Sequence, residues 1–280
     1  MQTISEKSTS TNITLDLTIP KEALDRRVEI GISMIKQAGQ LALSFFNNIA
    51  STDVMLKGPQ DFLTEADIAV ETLLRNQIRD HFPMDAIFGE EQGGEIEGDT
   101  WVLDPIDGTA NFARGIPHFC IVIAFVSGDK TQFGLIYDPV HDELYQVIAG
   151  QGALLNQVPI EVASTDHFSA ANLELGWSTR VSHETYMSVY EKMMSLGGNI
   201  RRSACGALAL AYVACGRTDG YVELHMNPWD CLAGLLLVKE AGGVVNQYAE
   251  QEGWKNGGAV LAAVPSFATA LSSSTHIRIS

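Results

Sequence analysis

The sequence predicts a two-part chain, an α+β half over residues 21–155 followed by an α/β half over residues 156–280, and three observations predict it. Two stretches with helical apolar spacing stand near the start. Three β-rich runs separated by short turns follow, the pattern of an antiparallel meander. Beyond Gly150-Gln-Gly152 strand-like and helix-like runs alternate, the signature of α/β structure. At 280 residues and 46% hydrophobic composition the chain is long and apolar enough to bury a sizeable core.

Residues 1–20 are Ser/Thr-rich, without a basic-then-apolar signal pattern, and read as a flexible N-terminal arm. Over residues 21–49, Leu24, Val28, Ile35, Ala42, Phe45 and Ile49 recur at helical spacing, a long amphipathic packing helix. Residues 54–57 are strand-like and Gly58-Pro59 ends them, with Lys57 by default a surface lysine. Thr64-Glu-Ala-Asp67 has the form of a capping box opening a second helix, which carries Ile68, Leu74 and Ile78 and stops near His81-Phe82-Pro83. The meander comprises residues 119–126, 131–137 and 142–148. In the second half, residues 173–177 and 218–224 read as strands, 182–196, 204–215 and 229–241 as helices, and 244–245 and 260–264 as short strands. Gly216 and Gly242-Gly243 supply helix stops.

Asp and Glu number 34 against 18 Lys and Arg, a net charge of −16, which disfavours nucleic-acid phosphate or an anionic membrane as the main partner. No apolar run approaches the roughly 18–20 residues of a membrane span. Cys120, Cys205, Cys215 and Cys231 lie in apolar surroundings with no C-x-x-C pair, the usage of buried thiols in a reducing, cytoplasmic compartment.

Chemistry concentrates in Trp101-Val-Leu-Asp104-Pro-Ile-Asp107-Gly-Thr109-Ala-Asn-Phe112, where a strand-like run ends in two carboxylates, a glycine and a hydroxyl. Asp104 and Asp107 can point at one centre, and two carboxylates brought together repel unless a proton or a cation lies between them. A buried neutral pair suits acid/base work; a pair joined by Glu90, Glu91 and Asp230 suits a hard divalent cation, since oxygen-only ligands select Mg²⁺, Mn²⁺ or Ca²⁺ over zinc. Calcium-loop spacing is absent. Gly108-Thr109 adds a close backbone approach and a hydroxyl, with a following helix N-terminus expected to add its dipole, so that metal and donors together would cradle a phosphate. There is no nucleotide-binding G-x-x-x-x-G-K-[ST], no H-E-x-x-H and no cysteine placed before an arginine as a phosphatase nucleophile, which leaves a metal-activated water as the simplest nucleophile.

Three blocks, Gly89-Glu90-Glu91, then Asp104-Pro-Ile-Asp107-Gly-Thr109 with Asn111-Phe112, then Trp229-Asp230 with Ala233-Gly234 and Glu240-Ala-Gly-Gly243, resemble the inositol monophosphatase family over roughly residues 25–265. The resemblance implies a layered αβαβα sandwich of the sugar-phosphatase type, usually a homodimer, sensitive to lithium. It implies two or three Mg²⁺ ions, with Mn²⁺ as a substitute, held by Glu90, Asp104, the Ile106 carbonyl, Asp107 and Asp230. Asp107, Gly108 and Thr109 would bind substrate, Gly108 and Thr109 through its phosphate. Glu90 and Thr109 would orient the attacking water, with Asp67 in the same network. Gly206 and Glu223 fall where the family contacts the polyol, and Lys57 where it has a lysine on a mobile loop.

At Ala204-Cys205-Gly206 this chain departs from the Gly-Ser/Thr-Ala segment of many members, which leaves substrate identity open. The expected activity is hydrolysis of a small phosphorylated polyol such as myo-inositol monophosphate. The same chemistry on histidinol phosphate, fructose 1,6-bisphosphate or a 3′-phosphoadenosine nucleotide is the alternative. A non-catalytic interaction protein with a structural metal site is the alternative of another class.

Overall fold

The computed structural model describes residues 19–49, 54–58, 61–248 and 253–279. The sequence-predicted N-terminal arm up to residue 18 lies outside them. Helix α1 (Lys21–Phe46) buries Val28, Met34, Ile35, Ala38 and Ala42, a stripe at three- and four-residue spacing. A hairpin of β1 (Val54–Gly58) and β2 (Asp61–Thr64) leads into α2 (Glu65–His81), whose first turn closes the capping box, with the Thr64 amide donating to Asp67 Oδ2 at 2.8 Å.

Both helices lie on one face of a seven-stranded sheet. Its strands, in spatial and sequence order, are β3 (Ala86–Gly89), β4 (Thr100–Asp107), β5 (Cys120–Ser127), β6 (Lys130–Asp138), β7 (Glu143–Ile148), β8 (Ala153–Leu155) and β9 (Val158–Ile160). Only β3 pairs parallel to its neighbour; from β4 onward the sheet is an antiparallel meander. Period-two alternation divides its side chains. Trp101, Leu103, Ile121, Ile123, Phe125 and Leu135 pack with α1 and α2, while Val102, Val122, Ala124, Ile136 and Val147 face the other way.

That second face meets a middle layer made by α5 (Gly206–Ala214) and α6 (Pro228–Glu240). On their far side stands a five-stranded sheet of order β11 (Asn199–Arg201), β10 (Asn172–Leu175), β12 (Gly220–Met226), β14 (Gly258–Ala263), β13 (Val244–Val245). The first three strands are mutually parallel, and β14 runs antiparallel to both its neighbours. Leu173, Leu175, Val222 and Leu261 pack outward against α4 (His183–Ser195) and α8 (Pro265–Thr275). The result is a layered αβαβα sandwich with three apolar cores between its layers. The one-turn α3 (Thr109–Phe112) and α7 (Gly253–Asn256) complete the helices among the described residues.

Sequence periodicity does not announce β8, β9 or β11, each three residues long, and α8, rich in Ser and Ala, lacks a strong apolar stripe. The first sheet accordingly continues to Ile160. The middle layer is buried on both sides, which explains why α5 is almost wholly Ala, Leu and Val and why α6 shows no amphipathic pattern.

Close layer contact depends on Gly134. A Cβ there would stand 2.7 Å from Ala233 Cα and 2.8 Å from its Cβ, where β6 meets α6. Gly134→Ala should destabilise the protein by about 1–3 kcal/mol through overpacking. Chemical denaturation measures this, and an unchanged midpoint would mean that β6 and α6 do not approach so closely.

Candidate active site

Strand β4 aims its two carboxylates by a register shift. Asp104 pairs with Val122 and Asp107 with Cys120, so three steps on β4 match two on β5. In a regular strand residues three apart point to opposite faces, but the extra residue of a bulge cancels the odd step. Pro105, which has no N–H to give the ladder, sits in that bulge. Asp104 and Asp107 therefore share the sheet face of Val122 and Cys120, toward the middle layer. The Ile106 amide donates to Asp104 Oδ1 at 3.0 Å and fixes the turn.

Asp107 is met at the N-terminus of α5, where Oδ2 accepts from the Ala207 amide at 2.6 Å and from the Cys205 thiol at 3.1 Å. Asp230 occupies N3 of α6 and accepts from the Asn227 amide at 2.9 Å, closing a capping box. Asp67 does the same for α2. Each of these two caps uses Oδ2 toward the backbone, and Asp67 Oδ1 faces the Thr109 hydroxyl at 3.4 Å. That hydroxyl donates more closely to the Ile106 carbonyl, at 2.9 Å. A carbonyl oxygen has two lone pairs, so the Ile106 oxygen retains acceptor capacity.

Gly108 has φ +94°, and a Cβ on it would meet the His118 carbonyl at 3.0 Å, so glycine is required at this turn. The helix that follows differs from expectation. α3 is a single turn of four residues, too short to bring a helix dipole to bear on an anion. What Gly108-Thr109 offers is its local backbone and the hydroxyl.

Two supports escape a motif search. Glu71, fully buried and paired with Arg75 at 2.7 Å, accepts the amides of Glu91 at 2.8 Å and Gln92 at 3.1 Å, and so anchors the loop that carries Glu90. The signal was present in the sequence: Asp67, Glu71 and Arg75 place charge every four residues on the buried side of α2. Asn111 donates to the carbonyls of His118 at 2.8 Å and Ser203 at 2.9 Å, tying the turn after Gly108 to the segment before α5.

Crowding and burial together shift the carboxylates upward. Asp104 is held well above the usual range by burial, then by the charges of Glu90, Asp107 and Asp230. Burial also raises Asp107, against the pull of the Cys205 and Ala207 donors. Burial and then Asp107 raise Asp230 to about 7, with Asp104 in hydrogen-bonding reach of it. Asp67 is raised to about 6 and Glu223 to about 8, each chiefly by burial. Such mutual repulsion is relieved by shared protons or by a cation.

A cavity of about 540 Å³ opens over this cluster. Glu90, Asp107, Gly206, Glu223 and Asp230 all line it, together with Arg202, at the start of the segment where the resemblance puts the polyol pocket, and with Trp177 and Arg180, which no sequence motif marked. Gly206 is confined, since a Cβ there would stand 2.5 Å from Met226 Cε and 3.1 Å from the Tyr221 hydroxyl. Asp104, Ile106 and Asp67 lie behind the cavity wall, joined to it by the contacts above. Lys57 lies on β1, and its side chain is outside the described residues. One oxygen of Asp107 and the sulfurs of Cys120 and Cys205 also lie within 4.8 Å of one another. Burial pushes Cys120 up to about 11 and Cys205 well above the ordinary thiol, so both sulfurs stay protonated and Cys205 serves as a donor.

The sequence model described as the inositol monophosphatase family matches residues 23–278. The Nus factor SuhB of Escherichia coli (strain K12) is 34% identical over 244 residues, covering 85% of this chain and 91% of that protein. Among solved structures, the extragenic suppressor protein suhB from Bartonella henselae superposes with a TM-score of 0.82 at 30% identity, covering 88% of this chain and 97% of that one. The inositol monophosphatase from Anabaena (Nostoc) sp. PCC 7120 gives 0.74 at 32% identity, with coverage of 91% and 97%.

The raised carboxylates predict how metal-free stability follows pH. A folded-state pKa above the unfolded value contributes stability that is complete below the unfolded pKa and is lost as pH rises through the folded one. For Asp67, Asp230 and Glu223 that window runs from about 4 to about 8. Denaturation in EDTA should show stability falling between about pH 4 and about pH 8, with saturating Mg²⁺ removing the share due to Asp230 and leaving that of Glu223. A flat metal-free profile would mean that the carboxylates are not buried together.

Proposed function

The chain belongs to the inositol monophosphatase family, and on that premise we propose that it is a Mg²⁺-dependent phosphatase of small phosphorylated polyols, the inositol monophosphate class. The observation that carries this reading is the β4 bulge, which sets Asp104 and Asp107 on one sheet face within electrostatic reach of Glu90 and Asp230, with Asp107, Glu90 and Asp230 lining an open cavity. The donor set is all oxygen, buried and self-repelling, and it fits a hard divalent cation. Glu90, Asp104, the Ile106 carbonyl, Asp107 and Asp230 would hold the ions, two or three Mg²⁺ or Mn²⁺ in their place. Bound there, Mg²⁺ supplies Lewis-acid polarisation of the phosphoryl group and a more acidic water.

The remaining work falls to the chain's own groups. Gly108 allows the backbone to approach the phosphate. The Thr109 hydroxyl, set between the Ile106 carbonyl and Asp67, orients the attacking water, and Asp67 with Glu90 takes up its proton. Glu223, whose carboxylate accepts from the Tyr221 hydroxyl, faces the polyol across the cavity. No covalent intermediate is required, because the one thiol at the cavity, Cys205, is protonated and committed to Asp107. Family membership supports lithium sensitivity, a homodimer, a cytoplasmic location and a role for Lys57 at the cavity mouth as parts of the same reading.

A second reading, an interaction role with the metal site structural, is favoured by one observation, the name Nus factor SuhB of the Escherichia coli relative. Phosphate release from inositol 1-phosphate in saturating Mg²⁺ separates the two. The hydrolase reading expects turnover by the native protein, a loss of about 10³-fold or more in Asp104→Asn and of about 10²–10³-fold in Thr109→Ala. Native rates in Asp104→Asn would refute the metal assignment. No turnover on inositol, histidinol, fructose and adenosine phosphates, with Mg²⁺ binding intact, would favour the interaction role.

A further inference from the structure

The lining of the cavity carries charge of both signs. Arg180 and Arg202 line it beside Trp177, and all three are exposed. The arginines that the fold uses for itself are paired, Arg27 with Asp85 at 2.7 Å, Arg75 with Glu71 at 2.7 Å and Arg217 with Glu143 at 2.5 Å. Among the described residues, Arg180 and Arg202 have no carboxylate within 4.0 Å. Arg26, Arg79, Arg114, Arg201 and Arg278 share that lack among the described residues, but Arg180 and Arg202 have it inside a cavity that also contains Glu90, Asp107, Glu174, Glu223 and Asp230.

The acids nearest to hand are turned elsewhere. Glu174 Oε1 accepts from the amide and hydroxyl of Ser203, and Glu223 Oε2 accepts from the Tyr221 hydroxyl. Both guanidiniums are still close enough to act on the site, Arg202 favouring the charged form of Glu223 and Arg180 that of Asp230. Arg202 is also oriented: its guanidinium carbon lies over the Trp177 ring, 5.5 Å from the centroid. A guanidinium held over an aromatic ring by cation–π attraction still has N–H groups to offer phosphate or carboxylate.

We propose that Arg180 and Arg202, the latter set by Trp177, bind a second anionic group on the substrate. The preferred substrate is then a phosphomonoester whose alcohol carries another phosphate or a carboxylate, in place of a neutral polyol. The inference rests on the phosphatase reading and deepens it: the carboxylate cluster takes the phosphoryl group that is cleaved and the two exposed arginines take the anion that is kept. A cavity of about 540 Å³ lies within the range of sites for ligands of some size, roughly 300–1,000 Å³.

The test compares matched pairs on the purified full chain in saturating Mg²⁺: fructose 1-phosphate against fructose 1,6-bisphosphate, and inositol 1-phosphate against inositol 1,4-bisphosphate. The readout is the ratio of kcat/KM within each pair, which cancels effects common to both members. The native protein should favour the bisphosphate of at least one pair by about tenfold or more, as a charge-assisted pair of hydrogen bonds does. In the double variant R180Q/R202Q that ratio should fall about tenfold, chiefly through KM, and in Trp177→Ala by a smaller factor. Both positions are exposed, so folding is not at issue, and far-UV circular dichroism checks it. A native ratio near one in both pairs, or a ratio untouched by R180Q/R202Q, would overturn the inference and leave the phosphatase reading standing. No release from any of the four substrates would overturn both.

Discussion

Four carboxylates that repel one another determine what the rest of this structure must do. Glu90, Asp104, Asp107 and Asp230 come from three separate stretches of chain and meet in low dielectric, where the other three raise the proton affinity of Asp104 and Asp107 raises that of Asp230. Without bound cation such a cluster opposes folding, and it stays assembled because each member is tied to rigid backbone. Asp104 is fixed by the β4 bulge, Asp107 by the start of α5, Asp230 by its own helix cap, and the Glu90 loop by Glu71. The same ties position the groups that would act on a phosphate.

The layered fold supplies the free energy that this arrangement consumes. Three apolar cores hold five layers together, and the middle one, built from α5 and α6, is buried on both faces. Its small residues let the two sheets approach, with Gly134 against Ala233 and Gly234 against Leu210. That closeness brings the starts of α5 and α6 to the end of β4, so packing and site geometry share one cause. The cavity's polarity follows from the same layout. Carboxylates gather at the strand end and helix starts, while Trp177, Arg180 and Arg202 stand beyond β10 and β11 on the solvent side.

Much of the site was legible in sequence because its chemistry is local. D-P-I-D-G-T holds the bulge, the proline and the tight glycine within six residues, and Thr64-Glu-Ala-Asp67 announces Asp67 as a helix-start aspartate, whereas the matching cap of Asp230 on Asn227 came from the structure. The long helices and the meander were legible for the same reason, since burial on one face imposes a period that a window of residues reveals. Elements too short to show a period, β8, β9 and β11, were not. The helix after Gly108 shrank to one turn, because a favourable start does not determine how far a helix runs once tertiary packing takes the chain elsewhere.

By itself, then, the sequence determined the family of this chain and its layered α/β fold class, with carboxylates gathered at the end of one strand, because those properties reside in residue types and short spacings. Only the tertiary structure decided which distant groups share the cavity. The hold of Glu71 on the Glu90 loop, the thiol of Cys205 on Asp107, and the meeting of Arg180 with the carboxylates in one cavity have no fixed sequence spacing that pairs the two partners. Their proximity is set by how layers stack and where strands end, and long-range packing leaves no fixed spacing in a chain for a motif to record.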